Sequence, residues 1–408
     1  MAGWLGIYAA LLSASTITRG QDAIRMSVAG QAAAELQKKT GDLHYYNIAM
    51  GPVSLRFQSV MGLELNDNVN YRNTNRVSDL ALRPALNTRA FWPITENNSL
   101  FFSTGIGYTK YVRTTGLDHL DITPDSNLSF RMYVGDFAIN FHDRFSITED
   151  IQQNPTVSGT GNFNEYENII GVNVDWDLNE LIVSFGYDHD WVTYPNSSFE
   201  SSDHNADLFN AQAAFKLNPG TTAGLQAGGG LTYYSHDGMS DNTHFSIGPF
   251  YQAQLTDYIK AKASIGYVSY YFSANGTTNN VSDQNGGYAD LTLTHRVNRW
   301  LDQSLSGGRQ FTASAGADLL DQYYASYEAN WHLIQNVSVS TSFTYRHGNS
   351  SGGSAEIFNL YGAGLGLGYQ ITQKLAGSIQ YSYWQKSSDV AANDYFQNVL
   401  VLNLVYSF

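Results

Sequence analysis

The side chains of this chain that could do chemistry are charged groups that recur at every second position of extended stretches. Successive side chains of a β-strand point to opposite faces, so charges with the same parity in one stretch share a face. In the early stretches the polar parity carries Arg56, Arg83, Arg89, Arg131 and Arg144. In the later stretches it carries Lys260, Lys262, Arg346, Asp175, Asp188, Asp190, Asp290 and Glu328.

Two interpretations of these charges stay open. In the first, a basic wall faces an acidic one and selects solutes by charge and orientation, as charged rings do in channels. Arginine binds carboxylates and phosphates through paired hydrogen bonds, so such a wall would attract anionic sugars or an anionic polysaccharide. In the second, the opposite charges pair with one another and only stabilise the fold.

Two groups of residues suggest an enzyme, but neither has the required geometry. The run Asp188-His189-Asp190 has the residue types with which some membrane proteases activate water, but alternation puts His189 on the other face from both acids. His142 and Ser146 share a face, yet it is the polar one, whereas a lipase needs them where acyl chains arrive. We therefore predict no catalytic residues.

Composition narrows the classes of site further. The chain has no cysteine, which excludes disulfides, thiolate metal sites and thiol nucleophiles. Its formal net charge of −14 argues against a nucleic-acid partner. The acidic loops Ser201–His204 and Asp237–Asp241 lack the ligand spacing of a calcium loop. We predict no cofactor and no metal site.

The elements that must position these charges are β-strands, and the last fifteen residues indicate their kind most plainly. Within Asp394–Phe408, one face of the extended chain carries only apolar or aromatic residues from Leu400 to the end. They are Leu400, Leu402, Leu404, Tyr406 and Phe408. A closed membrane barrel uses such a strand, because its last strand pairs with its first and leaves no exposed edge.

The same alternation runs from Gly51 onward, with short turns and long polar loops in turn. Counting the stretches gives roughly eighteen strands, an even number that closes an antiparallel barrel with both termini periplasmic. The 28 tyrosines suit the aromatic girdles at the two membrane interfaces. We predict an all-β fold, a transmembrane antiparallel up-and-down β-barrel.

The chain divides into three predicted regions. Residues 1–20, with an apolar run too short to span a bilayer, are interpreted as a signal peptide, although the basic start is missing and a buried helix is the alternative. Residues 21–48 form a short periplasmic segment, and residues 49–408 form the barrel. The expected partners are outer-membrane lipid and lipopolysaccharide, and the barrel assembly machinery through Phe408.

A family resemblance lies in residues 51–150, about a quarter of the chain. It is carried by Gly51-Pro-Val-Ser-Leu-Arg56, Leu65-Asn-Asp-Asn-Val69, Ser78-Asp79, Leu82-Arg-Pro84 and Phe91-Trp92. In their order, these pieces resemble the β-barrel porin 2 family. The resemblance implies an outer-membrane barrel associated with bacterial exopolysaccharide export, and it implies no catalytic residue.

The expected function is thus a porin-like channel for hydrophilic solutes in the bacterial outer membrane, with exopolysaccharide export as the main hypothesis. A general uptake porin is the first alternative and would have a loop folded into its lumen. An outer-membrane enzyme, or a surface adhesin or scaffold with a plugged lumen, are the others.

Overall fold

A computed structural model describes residues 46–149, 151–152, 154–273, 282–353 and 355–408. The predicted signal peptide at 1–20, and all but the last three residues of the predicted segment at 21–48, lie outside these ranges. The described part of the chain contains no helix long and apolar enough to cross a membrane.

The described residues form twenty β-strands that close into one antiparallel barrel. The strands are β1 (Ile48–Met50), β2 (Val53–Asn66), β3 (Asp79–Pro93), β4 (Asn98–Tyr111), β5 (His119–Ile122), β6 (Asn127–Val134), β7 (Phe137–Thr148), β8 (Glu165–Asp177), β9 (Leu181–Thr193), β10 (His204–Asn218), β11 (Thr221–Tyr234), β12 (Asn242–Gln254), β13 (Ile259–Phe272), β14 (Gln284–Asn298), β15 (Leu301–Ser314), β16 (Ala317–Ile334), β17 (Val337–Ser351), β18 (Ile357–Gln370), β19 (Leu375–Ser388) and β20 (Tyr395–Ser407). Two of them, β5 and β6, pair with successive parts of β4 and count as one wall strand, while β1 only extends the edge of β2. The wall therefore has 18 strands, which confirms the predicted fold.

The two ends of the barrel differ in their connections. At one end, here called the short-turn end, neighbouring strands are joined by brief turns such as 135–136 and 335–336. Longer connections, such as 67–78 and 149–164, lie at the opposite, long-loop end. Residue 46 and Phe408 both lie at the short-turn end. A periplasmic position of this end, as in other such barrels, stays a prediction.

The seam of the barrel joins β2 to β20, from Gln58 opposite Ser407 to Asn66 opposite Val399. Where β20 stops, the side chain of Asn47 continues the ladder. Its Nδ2 donates to the backbone oxygens of Phe408 (2.6 Å) and Phe57 (3.2 Å), and its Oδ1 accepts from the Phe57 N–H (3.3 Å). Asn47 thus supplies the donor and acceptor of a backbone amide that β20 lacks at this point.

The substitution Asn47→Ala is expected to weaken the seam by about 1 kcal/mol, since it removes a small set of hydrogen bonds at a solvent-exposed position. Faster hydrogen exchange at the Phe57 amide and a lower urea midpoint would measure this effect. Asn336→Ala, in an exposed short turn at the same end, is the matched control. Equal exchange rates in both variants would contradict the assignment.

The outer surface of the barrel is apolar, as the alternation predicts. Along β20, Leu402, Leu404 and Tyr406 are 38%, 46% and 40% exposed, although all three are apolar or aromatic. Aromatic residues concentrate at two levels of the outer face. Trp92, Trp176, Trp331 and Tyr369 lie near the short-turn end, and Tyr187, Tyr267, Tyr323 and Tyr361 lie toward the long-loop end. An exposed apolar belt between two aromatic girdles is the surface of a barrel in a membrane.

Candidate channel and its lumen segment

Residues 149–164 join β7 to β8 and are here called the lumen segment. Its described residues, 149, 151–152 and 154–164, lie inside the barrel instead of extending away from it. Gln152 Nε2 donates to Gln397 Oε1 on β20 (3.0 Å). Thr156 Oγ1 donates to the Ala315 carbonyl (2.8 Å) and lies 2.7 Å from Ser314 Oγ, the last residue of β15. Ser314 and Ala315 lie at the tip of the β15–β16 hairpin, whose Gly316 N–H donates to Ser202 Oγ (3.0 Å) between β9 and β10, so the lumen segment and this hairpin meet within the interior.

Two basic side chains of the far wall anchor the lumen segment. Arg346 Nη1 on β17 donates to the Gln152 carbonyl (2.8 Å). Lys386 Nζ on β19 donates to Ser158 Oγ (3.0 Å) and to Glu356 Oε1 (2.6 Å). The side chains of Lys386 and Glu356 are 0% and 1% exposed, so this ion pair is cut off from water. The segment is therefore held by charge-assisted bonds as well as by packing.

Apolar side chains fill the interior around the lumen segment. Ile151, Val157 and Phe163 are at most 3% exposed and belong to one cluster with residues of the wall. The wall residues of this cluster include Val192, Tyr194, Leu320, Phe358, Leu360 and Tyr395. All of these lie toward the long-loop end of their strands. The interior is thus packed at that end, which differs from the polar interior expected along its whole length.

Three of the five early arginines face carboxylates that the sequence pattern had not assigned to them. Arg83 Nη1 lies 2.7 Å from Glu64 Oε2, and Arg89 Nη2 lies 3.1 Å from Asp125 Oδ2. Arg144 Nη2 lies 3.4 Å from Glu167 Oε2. These three arginines are compensated within their own wall, which agrees with the stabilising interpretation. Glu64 and Glu167 share the inward parity, so their acidic character was visible, but their pairing depends on strand register.

The other predicted basic residues have different surroundings. Arg56 is 5% exposed and stands in register with Arg89, a like-charge pair across β2 and β3 that is unfavourable by itself. Arg131 lies over the Tyr133 ring at 5.0 Å. Lys260 and Lys262 are exposed on the inward face of β13 and form no direct ion pair with a described carboxylate, although Asp290 on β14 attracts Lys262. The exposed positive charge of the wall is therefore concentrated at the two lysines.

The predicted acidic residues do not form one continuous wall. Asp188 is 1% exposed, and its Oδ1 lies 2.7 Å from His142 Nε2. Gly171 leaves the room for this contact, because a Cβ there would fall 1.7 Å from Asp188 Oδ1. Asp190 is also buried, on β9, whereas Glu328 is half-buried on β16, far around the barrel.

The two suspected catalytic groups are arranged as the alternation predicts. His189 points outward, where its Nδ1 lies 3.0 Å from Asp207 Oδ1, while Asp188 and Asp190 point inward. His142 and Ser146 both face the interior. Among the described residues, no three His, Asp or Glu side chains are grouped so as to hold a metal ion.

A cluster at the root of the lumen segment was missed at the sequence level. His119, the first residue of β5, is contacted by Asp121 Oδ1 at Nε2 (3.1 Å) and by Glu149 Oε2 at Nδ1 (3.0 Å). The Thr109 hydroxyl donates to the other oxygen of Asp121 (2.6 Å). One imidazole between two carboxylates ties the first residue of the lumen segment to the wall. The signal available was the inward parity of His119 and Asp121 in a short, interrupted strand.

The pKa of Glu149 is raised to about 8, mainly by burial; His119 opposes this rise and the nearby Asp121 adds to it. The protonated carboxyl is therefore favoured in the folded state. Its stabilising contribution is complete below the ordinary pKa of glutamate and is lost as the pH rises through about 8.

We expect the lumen segment of the native chain to lose hydrogen-exchange protection between pH 5 and pH 9, and Glu149→Gln to remove most of that loss. Glu180→Gln, in a short turn at the other end, is the control. An identical pH profile in all three proteins would contradict the role of Glu149.

No family model matches this chain, and no curated protein matches it. Solved structures do. OccK2 (OpdF) of Pseudomonas aeruginosa is 10% identical, with 87% of this chain and 98% of that chain covered and a TM-score of 0.50. The outer membrane protein OpdK of the same organism (11% identical, 87% and 99% covered, TM-score 0.48) and OccAB3 of Acinetobacter baumannii (10%, 88% and 100%, TM-score 0.49) also match.

At these identities the similarity concerns the fold alone, and the resemblance to the β-barrel porin 2 family is not confirmed. The similarity and the apolar belt establish the type of barrel and not the family. The chain is an 18-stranded antiparallel barrel with the fold of outer-membrane porins, and its place is the bacterial outer membrane.

Proposed function

We propose that this barrel is an outer-membrane channel for small hydrophilic solutes, with the lumen segment as its constriction. The observation that carries the proposal is the path of residues 149–164 across the interior to β15, β17, β19 and β20. A barrel of this strand number is wide enough to leave an aqueous passage. A segment anchored on the far wall reduces that passage to the size of small molecules.

Export of an exopolysaccharide, the main hypothesis from the sequence, has less support. A polymer needs an uninterrupted bore along the whole barrel while it passes. Here the interior at the long-loop end is occupied by the lumen segment and its apolar cluster. The anchors at Arg346 and Lys386 would have to break for each passing chain. A small-solute porin needs no such rearrangement.

A modest preference for anions accompanies the proposal. Lys260 and Lys262 are exposed on the inward face without a described ion-pair partner, and Arg131 is half-buried on the same side of the membrane. Arg83, Arg89 and Arg144 contribute less to the field in the passage, because carboxylates lie within 3.4 Å of each. Selection by charge should therefore depend mainly on the two lysines.

The test is solute entry into proteoliposomes, with a sugar acid, a neutral sugar and an amino sugar of equal size, and a dextran. We expect the sugar acid to enter fastest and the dextran to be excluded. Lys260→Gln together with Lys262→Gln should reduce the advantage of the acid about two- to fivefold, as expected for removal of two wall charges. Lys374→Gln, in a short turn, is the control. Entry of dextran would favour polymer export, and no entry of any solute would favour an adhesin or scaffold.

A further inference from the structure

One row of side chains near the rim of the long-loop end starts from the outer face of the wall and combines an arginine, a histidine and an amide. Arg309, Tyr323, His347 and Asn359 stand directly opposite one another on the neighbouring strands β15, β16, β17 and β18. We call these four residues the outer row. Arg309 is unusual, because arginines such as Arg83, Arg89 and Arg144 on the early strands point inward.

The guanidinium of Arg309 is held in a fixed orientation. Its Nε and Nη2 donate to the two oxygens of Asp321 (2.9 and 2.8 Å). The rings of Phe311 and Tyr323 lie 4.8 and 5.3 Å from its central carbon. Tyr323 is exposed on the outer face, whereas Phe311 is buried against Tyr270 and Tyr288. Since Asp321 takes one edge of the fork, Nη1 is left for another acceptor. An arginine facing lipid is tolerated only near a membrane interface, where a headgroup can reach it.

His347 is oriented in the same manner. Its Nδ1 lies 3.1 Å from Asn359 Oδ1, which also accepts from the Tyr345 hydroxyl (2.9 Å). With the amide oxygen of Asn359 facing the ring, Nδ1 is the donor of this bond. Nε2 then bears a second N–H only when the ring is charged. The ring of His347 lies 6.4 Å from that of Tyr323, so Arg309 and His347 flank one tyrosine.

At the next outward position toward the apolar belt, the outer surface is shallow because its side chains are small. There the outward positions of β15 and β16 are Gly307 and Ala325, opposite each other in register, and Ala325 is exposed. The next two strands carry Tyr345 and Tyr361 at this level, with ring centroids 5.2 Å apart. This shallow apolar hollow lies beside two tyrosine rings and next to the cationic outer row. A molecule with a charged group joined to an apolar chain would match both parts.

We propose that the outer row binds a phosphate group of lipopolysaccharide, with one of its acyl chains lying over Gly307 and Ala325. The guanidinium N–H groups of Arg309 that Asp321 leaves open can donate to a phosphate oxygen, and His347 lies on the other side of Tyr323 in the same row. This lipid is the phosphorylated glycolipid of the leaflet toward which long loops of such barrels project. The site is separate from the lumen, so it is independent of the transport proposal.

The outer face of β9 and β10 supplies a comparison within the same molecule. There Tyr187 and His189 both bond to Asp207, and Phe209 packs on Tyr187, so an aromatic and histidine patch lies at a similar level. In that patch the acid Asp207 has no arginine partner among the described residues, whereas Asp321 beside the outer row is paired with Arg309. It should not hold a phosphate.

The test is titration of the refolded, lipopolysaccharide-free barrel with purified lipopolysaccharide, read by native mass spectrometry. The double variant Arg309→Gln, His347→Gln is expected to lose at least tenfold in affinity, and His189→Gln is expected to keep it. Asp321→Asn frees the guanidinium of its internal partner and should bind more tightly than the native chain. This gain cannot come from a misfolded protein, and the heat-modifiable band on a gel checks folding of every variant.

Two further lipids test which part of lipopolysaccharide the site recognises. Dephosphorylated lipopolysaccharide is expected to bind the native chain as weakly as the native lipid binds the double variant. Phosphatidylglycerol should bind less tightly, because it lacks the broad glycolipid that the tyrosines and the hollow fit. Equal affinity of the double variant and the native chain, equal binding of the dephosphorylated lipid, or equal binding of phosphatidylglycerol would each overturn the proposal.

Discussion

Replacing residues 151–162 by a short Gly-Ser linker is expected to raise the single-channel conductance several-fold and to admit solutes that the native barrel excludes. The replacement removes Ile151 and Val157 from the apolar cluster, and it removes the partners of Arg346 and Lys386 on the lumen segment. The 18-strand wall does not depend on the segment for its own ladder, since β7 and β8 pair along their whole length. The barrel should stay closed as a cylinder and become an open bore.

Conductance steps in planar bilayers, together with entry of dextrans of graded size, measure this change. The control replaces residues 73–75 at the same end, which are exposed and take no part in the cluster. If the lumen-segment variant conducts like the native protein while its barrel is intact, the segment is not the constriction.

The substitution Lys386→Met is expected to destabilise the docked lumen segment by about 3 kcal/mol, as measured for other buried ion pairs that lose one partner. Glu356 would keep its bonds from Ser388 (2.7 Å) and Asn393 (2.8 Å) but lose its counter-charge in a place without water. The cost falls on the segment, because the lysine also bonds to Ser158. Hydrogen exchange at residues 154–163 should accelerate about a hundredfold, in keeping with such a loss.

A second substitution separates charge from packing. In the double variant Lys386→Met, Glu356→Gln no charge is left buried, so most of the protection should return. If the double variant exchanges as fast as Lys386→Met alone, the lysine acts through its bond to Ser158 and not through the ion pair.

The fold could be predicted from the sequence because it depends on a local pattern. In Gly364-Leu-Gly-Leu-Gly368, Leu365 and Leu367 are 55% and 45% exposed on the outer face, and the glycines lie inward as expected. Gly362, two residues earlier, shows why glycine is needed on the inner face of this strand. A Cβ at this position would fall 2.4 Å from the Trp384 ring. Alternation, turn residues and an even strand count suffice for such a barrel.

The lumen segment could not be predicted, because its contacts are long-range and its apolar residues follow no period. Ile151, Val157 and Phe163 belong to a cluster whose other members come from all parts of the chain, from Tyr71 through Tyr194 to Tyr395. For the same reason Arg346, expected to line a water-filled passage, is in fact 5% exposed and bonded to this segment. The end of β17 was equally invisible in the sequence, because the strand continues to Ser351 beyond the apolar belt, where alternation gives no signal.

The position of the lumen segment can be measured directly, because the native chain has no cysteine. The hydroxyls of Thr156 and Ser314 lie 2.7 Å apart, so cysteines at these two positions should form a disulfide across the lumen. In intact outer membranes, mild oxidation of Thr156→Cys, Ser314→Cys is expected to give near-complete linkage, with a conductance no greater than that of the native protein. Absence of the linked peptide, or an open-bore conductance in the linked protein, would show that the segment does not cross and narrow the barrel.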